Sequence, residues 1–90
     1  MTVLLGIDLG ERRIGLATGD TTTGAVKPLL TLNRGSASHD AEAISRICSE
    51  RRAEAVVVGL PLNTDGSESV QSERTRAWVT QVEPLLDLPV

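Results

Sequence analysis

Asp8 is the residue whose type and position most suggest chemistry in this chain. It is a carboxylate near the end of the apolar run VLLGIDL, just before the turn GERR. Alternate side chains of a strand point to opposite faces, so Asp8 shares its face with Gly6. A nucleotide, a phosphate backbone or a hydrated metal ion can therefore approach it closely. The alternative is structural, because acids at strand ends also cap turns or pair with neighbours such as Arg12.

Two basic residues, Arg12 and Arg13, follow Asp8 in the turn. Their planar guanidinium groups present a fork of donors that matches phosphate oxygens, so both are candidate substrate-binding residues. Paired arginines in hairpin turns are also frequently just solvated, and both interpretations stay open. The net charge of −3 argues against bulk attraction to nucleic acid, so any such contact must be local.

A second polar cluster, the loop GLPLNTDGS, follows a β-branched run. Asn63 could orient a nucleotide or phosphate with its amide, or cap the turn into the next helix. Asp65 could be a metal ligand or, as glycine-flanked aspartates commonly are, a turn former. If the first and fourth strands are parallel neighbours, this loop and Asp8 meet at one edge of the sheet. Helix N-terminal amides would then be available to an anion.

The elements that must position these residues begin with an antiparallel meander. Alternation predicts a strand through Asp8, a second strand over 14–20 and a third over 25–32, with Pro28 tolerated if the third strand lies at an edge. A helix should follow, with Ser38 as its N-cap. Its predicted core-facing residues are Ala41, Ile44, Ile47 and Cys48.

A parallel part of the sheet should come next. The run AVVVGLP lacks alternation, as expected of a central strand covered on both faces. A second helix, with Ser67 as N-cap, should end at Pro84. The residues predicted along one of its sides are Val70, Arg74, Ala77, Trp78 and Val82. The fold class is therefore α/β, a mixed sheet in which a three-stranded antiparallel meander joins parallel strands linked by crossover helices.

Composition limits the class of protein. Ninety residues form one domain at most, and a single cysteine excludes an internal disulfide and any multi-cysteine zinc site. That cysteine usage suits a reducing compartment. The chain has no basic leader and no apolar window of ~18 residues, so we expect neither secretion nor a membrane partner, and a cytoplasmic location.

Two motifs, taken as a pair, resemble those of the YqgF or RuvX family of Holliday junction resolvases, which have a ribonuclease H-like fold. They are GIDLGERRIGLATGD and, at the matching interval, VVVGLPLNTDGSES. The first motif alone also opens the nucleotide-binding domains of sugar kinases, Hsp70 and actin. The second motif and the ERRIG turn favour the nuclease family, and the likeness runs through essentially the whole chain.

The resemblance implies a bacterial nuclease that acts on nucleic acid, either the precursor of 16S ribosomal RNA or branched DNA. It implies that Asp8 is a catalytic carboxylate that binds Mg²⁺ or Mn²⁺, and it favours Arg12 as a substrate contact. Two-metal hydrolysis needs carboxylates that hold ions ~3.5 to 4 Å apart, so a single aspartate does not suffice. Family members carry further acids in segments that would follow residue 90.

We therefore expect residues 1–90 to form a single incomplete domain that stops before the last elements of the fold and is inactive alone. Such a domain could form a homodimer to cover an open sheet edge. Two alternative functions stay open. One is a noncatalytic RNA-binding module of ribosome assembly, motivated by the basic turn and the missing acids. The other is the first part of an ATP-binding kinase or Hsp70-like domain, motivated by GIDLG.

Overall fold

The computed structural model describes residues 2–60, 63–67, 69–86 and 88–90. Its elements, in chain order, are strands β1 (Val3–Leu9), β2 (Arg13–Asp20) and β3 (Val26–Asn33), helix α1 (Ala37–Arg51), strand β4 (Ala55–Val58) and helix α2 (Val70–Val82). One turn of 3-10 helix, Glu83–Leu85, follows α2 directly. The predicted α/β class is confirmed, and so is the order of elements through α2, whereas the strand predicted to begin in LDLPV is not formed by the described residues 88–90. Within the described ranges, no helix is both long and apolar enough to cross a membrane.

The strands form one mixed sheet in the order β3-β2-β1-β4. β1 pairs antiparallel with β2 and parallel with β4, and β2 pairs antiparallel with β3. The predicted meander and the parallel pairing of the first and fourth strands are therefore confirmed. β3 lies at an edge of the sheet, the position in which Pro28 is tolerated.

The prediction that the β-branched strand lies centrally is wrong for the described residues. β4 forms the second edge of the sheet, and the side chain of Val57 is 52% exposed. The backbone N–H of Val56 donates to the carbonyl of Pro89 at 2.9 Å, so the end of the chain contacts this edge. β-branched composition reports a preference for extended backbone but does not specify how many neighbours a strand has. Self-association through this edge stays a prediction.

The core lies between the two helices and one face of the sheet. The alternation of β1 was predicted correctly, because Leu5, Ile7 and Leu9 are all buried. The predicted stripe of α1 is also buried, and its members are Ala41, Ile44, Ile47 and Cys48. The opposite face of the sheet has no helix of the described residues against it and leaves large apolar side chains exposed, among them Val26 and Leu30.

Helix α1 begins two residues earlier than predicted. Ser36 is the N-cap, and its Oγ accepts a hydrogen bond from the backbone N–H of His39 at 3.1 Å. Ser38, the predicted cap, lies within the first turn. Both serines could cap a helix here; with the cap at Ser36, the Ser36 carbonyl accepts from the backbone N–H of Asp40, whose side chain is buried.

Asp40 joins three parts of the fold. Its Oδ1 accepts a hydrogen bond from the backbone N–H of Gly35, in the loop before α1, at 2.8 Å. Its Oδ2 accepts from the indole Nε1 of Trp78, on α2, at 3.1 Å. The Nδ1 of His39 lies 3.3 Å from Oδ1. Asp40 is only 1% exposed, so a buried carboxylate ties both helices to the end of the meander.

Helix α2 starts two residues later than predicted. Its N-cap is Ser69, whose Oγ accepts from the backbone N–H of Ser72 at 3.0 Å. Ser67, the predicted cap, instead hydrogen-bonds with Asp65 in the preceding turn. The helix ends at Val82, and Pro84 lies in the 3-10 turn that follows, so the predicted stop is confirmed.

The buried side of α2 differs from the predicted one. It consists of Ser72, Thr75, Trp78 and Val82, whereas Val70, Arg74 and Ala77 are exposed. Two polar residues can occupy this side because their hydroxyls donate to carbonyls of the same helix, Ser72 to Ser69 and Thr75 to Gln71, each at 2.9 Å. A search for apolar periodicity does not detect such a buried side, because some of its residues are polar.

Candidate active site

Asp8 lies near the C-terminal end of β1, on the face of the sheet away from the helices. Its side chain is exposed, while Ile7 and Leu9 on either side are buried. Its antiparallel partner is Gly15, where an added Cβ would lie 3.7 Å from the Cβ of Asp8. A side chain at position 15 would therefore lie in van der Waals contact with Asp8, and glycine leaves that space open. The predicted exposure of this acid on a face of small residues is confirmed.

The space in front of Asp8 is an open groove of about 560 Å³. Apolar side chains of β2, β3 and β4 form much of its wall, including Leu16, Leu30 and Val57. Among the described residues that line the groove, Asp8 alone carries a charge. Its carboxylate also makes no hydrogen bond or ion pair with another described side chain, so its oxygens face solvent and can accept a cation or a donor.

The end of β4 and the start of α2 converge on the same region. The backbone N–H of Gly59, just after β4, donates to the carbonyl of Ile7 at 3.0 Å. The Nε2 of Gln71, in the first turn of α2, donates to the carbonyl of Leu9 at 2.8 Å. The end of β1 thus lies beside the end of β4 and the first turn of α2, while the predicted meeting of Asp8 with the loop Asn63–Ser67 stays a prediction. Pro61, Leu62 and Glu68, which belong to the loop motif, lie outside the described residues.

The described part of the loop is organised as a turn around Ser67. The Oδ1 of Asp65 accepts from the Ser67 hydroxyl at 2.6 Å and from its backbone N–H at 2.9 Å, and these bonds lower the pKa of Asp65 below its ordinary value. The amide Nδ2 of Asn63 donates to the Ser67 Oγ at 3.1 Å. Both residues thus have the turn-forming role that their sequence context allows. The metal role of Asp65 and the substrate role of Asn63 stay predictions.

Arg12 and Arg13 are both exposed at the turn that follows Asp8. Arg13 begins β2, and the carbonyl of Arg12 accepts from the backbone N–H of Arg34 at 2.8 Å. The backbone of the turn is therefore anchored while the two guanidinium groups lie at the surface. Their role in binding substrate stays a prediction.

The described residues supply one candidate ligand for a metal ion but not a complete set of ligands. A carboxylate such as Asp8 is a suitable ligand for Mg²⁺ or Mn²⁺. Across residues 2–60, 63–67, 69–86 and 88–90, however, no group of three or more His, Cys, Asp or Glu side chains could hold a metal ion. Two-ion phosphodiester chemistry needs more carboxylates than Asp8 supplies.

Three polar residues near Asp8 were not predicted as part of the site. Gln71 contacts Leu9 as described above, and the Nη1 of Arg34 donates to the carbonyl of Gly10 at 3.0 Å. Glu11 lies 3.4 Å from the guanidinium of Arg74. No spacing rule marks these residues. The signal that could have found them is topological, because the first turn of α2 had already been expected beside the end of the first strand.

The fold accounts for two further residues that could be reactive. Cys48 is buried in the core, and burial raises the pKa of its thiol, which keeps it protonated and disfavours a nucleophilic role. Asp20, at the end of β2, accepts a hydrogen bond from the backbone N–H of Thr22 at 2.8 Å and so forms the following turn.

Comparison with known proteins gives consistent results. A family model described as RuvX, Holliday junction resolvase, matches residues 2–90. A "Putative pre-16S rRNA nuclease" of Rhodobacter capsulatus is 40% identical, over 97% of this chain and 55% of that protein. The same name is given to a relative from Phenylobacterium zucineum, 38% identical over 99% of this chain and 58% of that protein. The chain thus spans little more than half the length of the curated relatives it matches.

Among solved structures, the chain is similar to Thermus thermophilus RuvC in complex with a Holliday junction substrate. The TM-score is 0.52 at 18% identity, and the match covers 94% of this chain and 57% of that one. At this identity the likeness concerns the fold alone. The predicted ribonuclease H-like architecture is confirmed.

Proposed function

Because this chain belongs to the RuvX family of Holliday junction resolvases, we propose that the whole protein is a nuclease that uses Asp8 to cleave structured nucleic acid. The observation that carries the proposal is the presentation of Asp8. It is an exposed carboxylate at a strand end, with glycine opposite it and with the end of β4 and the start of α2 beside it. Ligands of open α/β sheets gather at this edge.

The candidate substrates are the precursor of 16S ribosomal RNA and a branched DNA junction. The first is suggested by the names of the curated relatives, and the second by the description of the family. Both present bent or branched backbones with closely spaced phosphates. The family match favours this proposal over the ATP-binding kinase and Hsp70-like alternative.

We also propose that cleavage depends on Mg²⁺ or Mn²⁺ and that Asp8 is one of several ligands. Carboxylate oxygens suit these hard cations, which supply charge stabilisation and a nucleophile for phosphodiester hydrolysis when bound. Since the chain spans little more than half the length of its relatives, the other carboxylates are expected elsewhere in the whole protein. Residues 1–90 alone, as an incomplete domain, should therefore be inactive.

Metal removal tests this proposal. We expect the whole protein to cleave a structured RNA from the 5′ end of the 16S precursor, or a four-way DNA junction, only when Mg²⁺ or Mn²⁺ is present. EDTA should abolish cleavage, and added metal should restore it, as measured with end-labelled substrates on denaturing gels. An unbranched duplex of equal length is the control substrate. Cleavage that persists in EDTA would contradict the metal dependence, and binding without cleavage under all conditions would favour the noncatalytic RNA-binding module.

Charge reversal tests the two arginines. We propose that Arg12 and Arg13 bind substrate phosphates, so Arg12→Glu and Arg13→Glu should each weaken binding about tenfold at low salt, with the larger effect at Arg12. Each should also reduce the dependence of log Kd on log salt by about one unit, because one phosphate contact is lost. Fluorescence anisotropy at several salt concentrations gives both quantities. The control is Arg46→Glu, which changes an exposed arginine on α1. An equal loss of binding in this variant would show that Arg12 and Arg13 act only through the overall charge of the protein.

A further inference from the structure

Two side chains from separate elements hold the turn between β1 and β2. The Nε2 of Gln71, from the first turn of α2, donates to the carbonyl of Leu9 at 2.8 Å. The Nη1 of Arg34, from the residue after β3, donates to the carbonyl of Gly10 at 3.0 Å. The two accepting carbonyls are consecutive, and both donors are partly buried. The backbone here cannot rotate without the loss of at least one of these bonds.

The turn itself is tight, which makes its backbone sensitive to such contacts. The backbone N–H of Gly10 donates to the carbonyl of Arg13 at 2.8 Å. A Cβ added at Gly10 would lie only 3.0 Å from that same carbonyl oxygen. Only glycine fits this approach without a shift of the backbone, so the geometry leaves little freedom to the residues on either side.

Asp8 depends on that backbone for its orientation. Within the described residues, its carboxylate has no hydrogen-bond or ion-pair partner that would fix it directly, and its side chain is exposed. One peptide unit separates Asp8 from the carbonyl of Leu9, and two separate it from the carbonyl of Gly10. Groups that take part in catalysis must be held within about 0.5 Å of their productive position. Any restraint that the described residues place on Asp8 therefore acts through its backbone.

We propose that Gln71 and Arg34 are positioning residues, which orient Asp8 by holding the carbonyls of Leu9 and Gly10. The inference rests on the proposed nuclease function of Asp8 and extends it to residues that no sequence motif identifies. It also assigns α2 a functional role, because its first turn reaches the strand end through Gln71.

The test removes each donor while keeping side-chain size in the whole protein. Gln71→Met and Arg34→Met should each lower kcat for the cleaved nucleic acid about tenfold, since small misplacements of a catalytic group are costly. KM should change less than about twofold, because neither residue is assigned to substrate binding. Arg34→Lys retains a donor and should stay within about threefold of the wild-type kcat. The matched controls are Gln81→Met, an exposed position at the other end of α2, and Arg46→Met, both with wild-type kcat.

A second measurement reports on the turn directly. Amide hydrogen exchange of Gly10, whose N–H is bonded to Arg13, should become faster in Gln71→Met and Arg34→Met and stay unchanged in the two controls. This readout distinguishes a loosened turn from a general loss of stability, which would speed exchange throughout the sheet.

The outcomes separate the two proposals. If the wild-type protein cleaves and both Met variants keep its kcat, or lose only melting temperature, the positioning role is overturned while the nuclease proposal stands. If Gly10 exchange is unchanged in both variants, the positioning role is also overturned. If the wild-type protein cleaves neither substrate with either metal, the nuclease proposal fails and the positioning role fails with it.

Discussion

Replacement of Asp8 with Asn in the whole protein should lower the rate of phosphodiester cleavage about a thousandfold or more, equivalent to about 4 kcal/mol of activation free energy. Asparagine keeps the size and shape of the side chain but removes the negative charge by which a carboxylate binds a divalent cation. Stability should not change, because the Asp8 side chain is exposed and has no described side-chain partner. Single-turnover cleavage and thermal unfolding of the same preparations measure the two effects.

Two matched aspartates serve as comparisons. Asp20→Asn alters the acid at the other end of the hairpin, which lies opposite Val3 and bonds to Thr22, and it should keep wild-type cleavage. Asp65→Asn should have at most a small effect, because the Asp65 carboxylate is engaged by Ser67. A loss at Asp65 comparable to that at Asp8 would make it a second ligand. If Asp8→Asn cleaves within threefold of the wild type, the proposed role of Asp8 is wrong.

Replacement of Asp40 with Ala should destabilise the fold by roughly 2 to 5 kcal/mol. The change leaves two donors, the backbone N–H of Gly35 and the indole N–H of Trp78, without their acceptor. An unsatisfied buried donor such as the indole N–H costs about 1 to 3 kcal/mol, and the loss at the partly buried Gly35 N–H adds a smaller amount. Small domains have total stabilities of about 5 to 15 kcal/mol, so a large fraction of the fold's stability depends on this carboxylate. Urea unfolding followed by far-ultraviolet circular dichroism measures the free energy of unfolding.

The matched control is another acid of the same helix. Glu42 pairs with Arg46 at 3.5 Å, and both side chains are largely exposed. Glu42→Ala should therefore change the free energy of unfolding by less than about 0.5 kcal/mol. Trp78→Phe, which keeps most of the apolar burial but removes the N–H donor, should cost less than Asp40→Ala. An Asp40→Ala protein as stable as Glu42→Ala would show that the buried carboxylate is not needed.

The sequence predicted those parts of the fold in which periodicity and burial coincide. Leu5 and Ile7 alternate with small or polar residues, and Ile44 and Ile47 recur at helical spacing, so each pattern identified its buried face correctly. α2 was harder because its buried Ser72 and Thr75 bond to carbonyls of their own helix. Polar residues whose hydroxyls are hydrogen-bonded in this way can be buried, so the buried side of the helix shows no apolar periodicity.

Helix starts and the order of the sheet were less accessible to prediction. Each helix start offers two serines with similar local propensity, Ser36 and Ser38 for α1 and Ser67 and Ser69 for α2, and the caps are Ser36 and Ser69. Whether β4 lies at an edge of the sheet or in its centre depends on how many strands pair with it. Local composition carries no such information.

The sequence singled out Asp8, whose catalytic role stays a prediction, but not the side chains that contact the turn after it. Asp8 was conspicuous because an acid interrupts an apolar strand. Gln71 and Arg34 are ordinary polar residues at a helix start and a strand end, and their roles follow from contacts to backbone carbonyls 62 and 24 residues away in sequence. Such contacts depend on the packed fold, so they become visible only in three dimensions.

The burial of Trp78 bears on how this part of the protein would contact nucleic acid in the proposed function. Trp78 is the only Trp, Tyr or Phe among the 90 residues, and it is 4% exposed, with its indole N–H bonded to Asp40. Apart from the exposed imidazole of His39, the described residues therefore present no aromatic ring on which an unpaired base could stack. In the proposed function, we expect these residues to contact nucleic acid mainly through the sugar–phosphate backbone, by charge and hydrogen bonding. Such contacts sense the path of the strands, so this half of the protein should distinguish junctions and bends from straight duplexes while tolerating changes of base sequence.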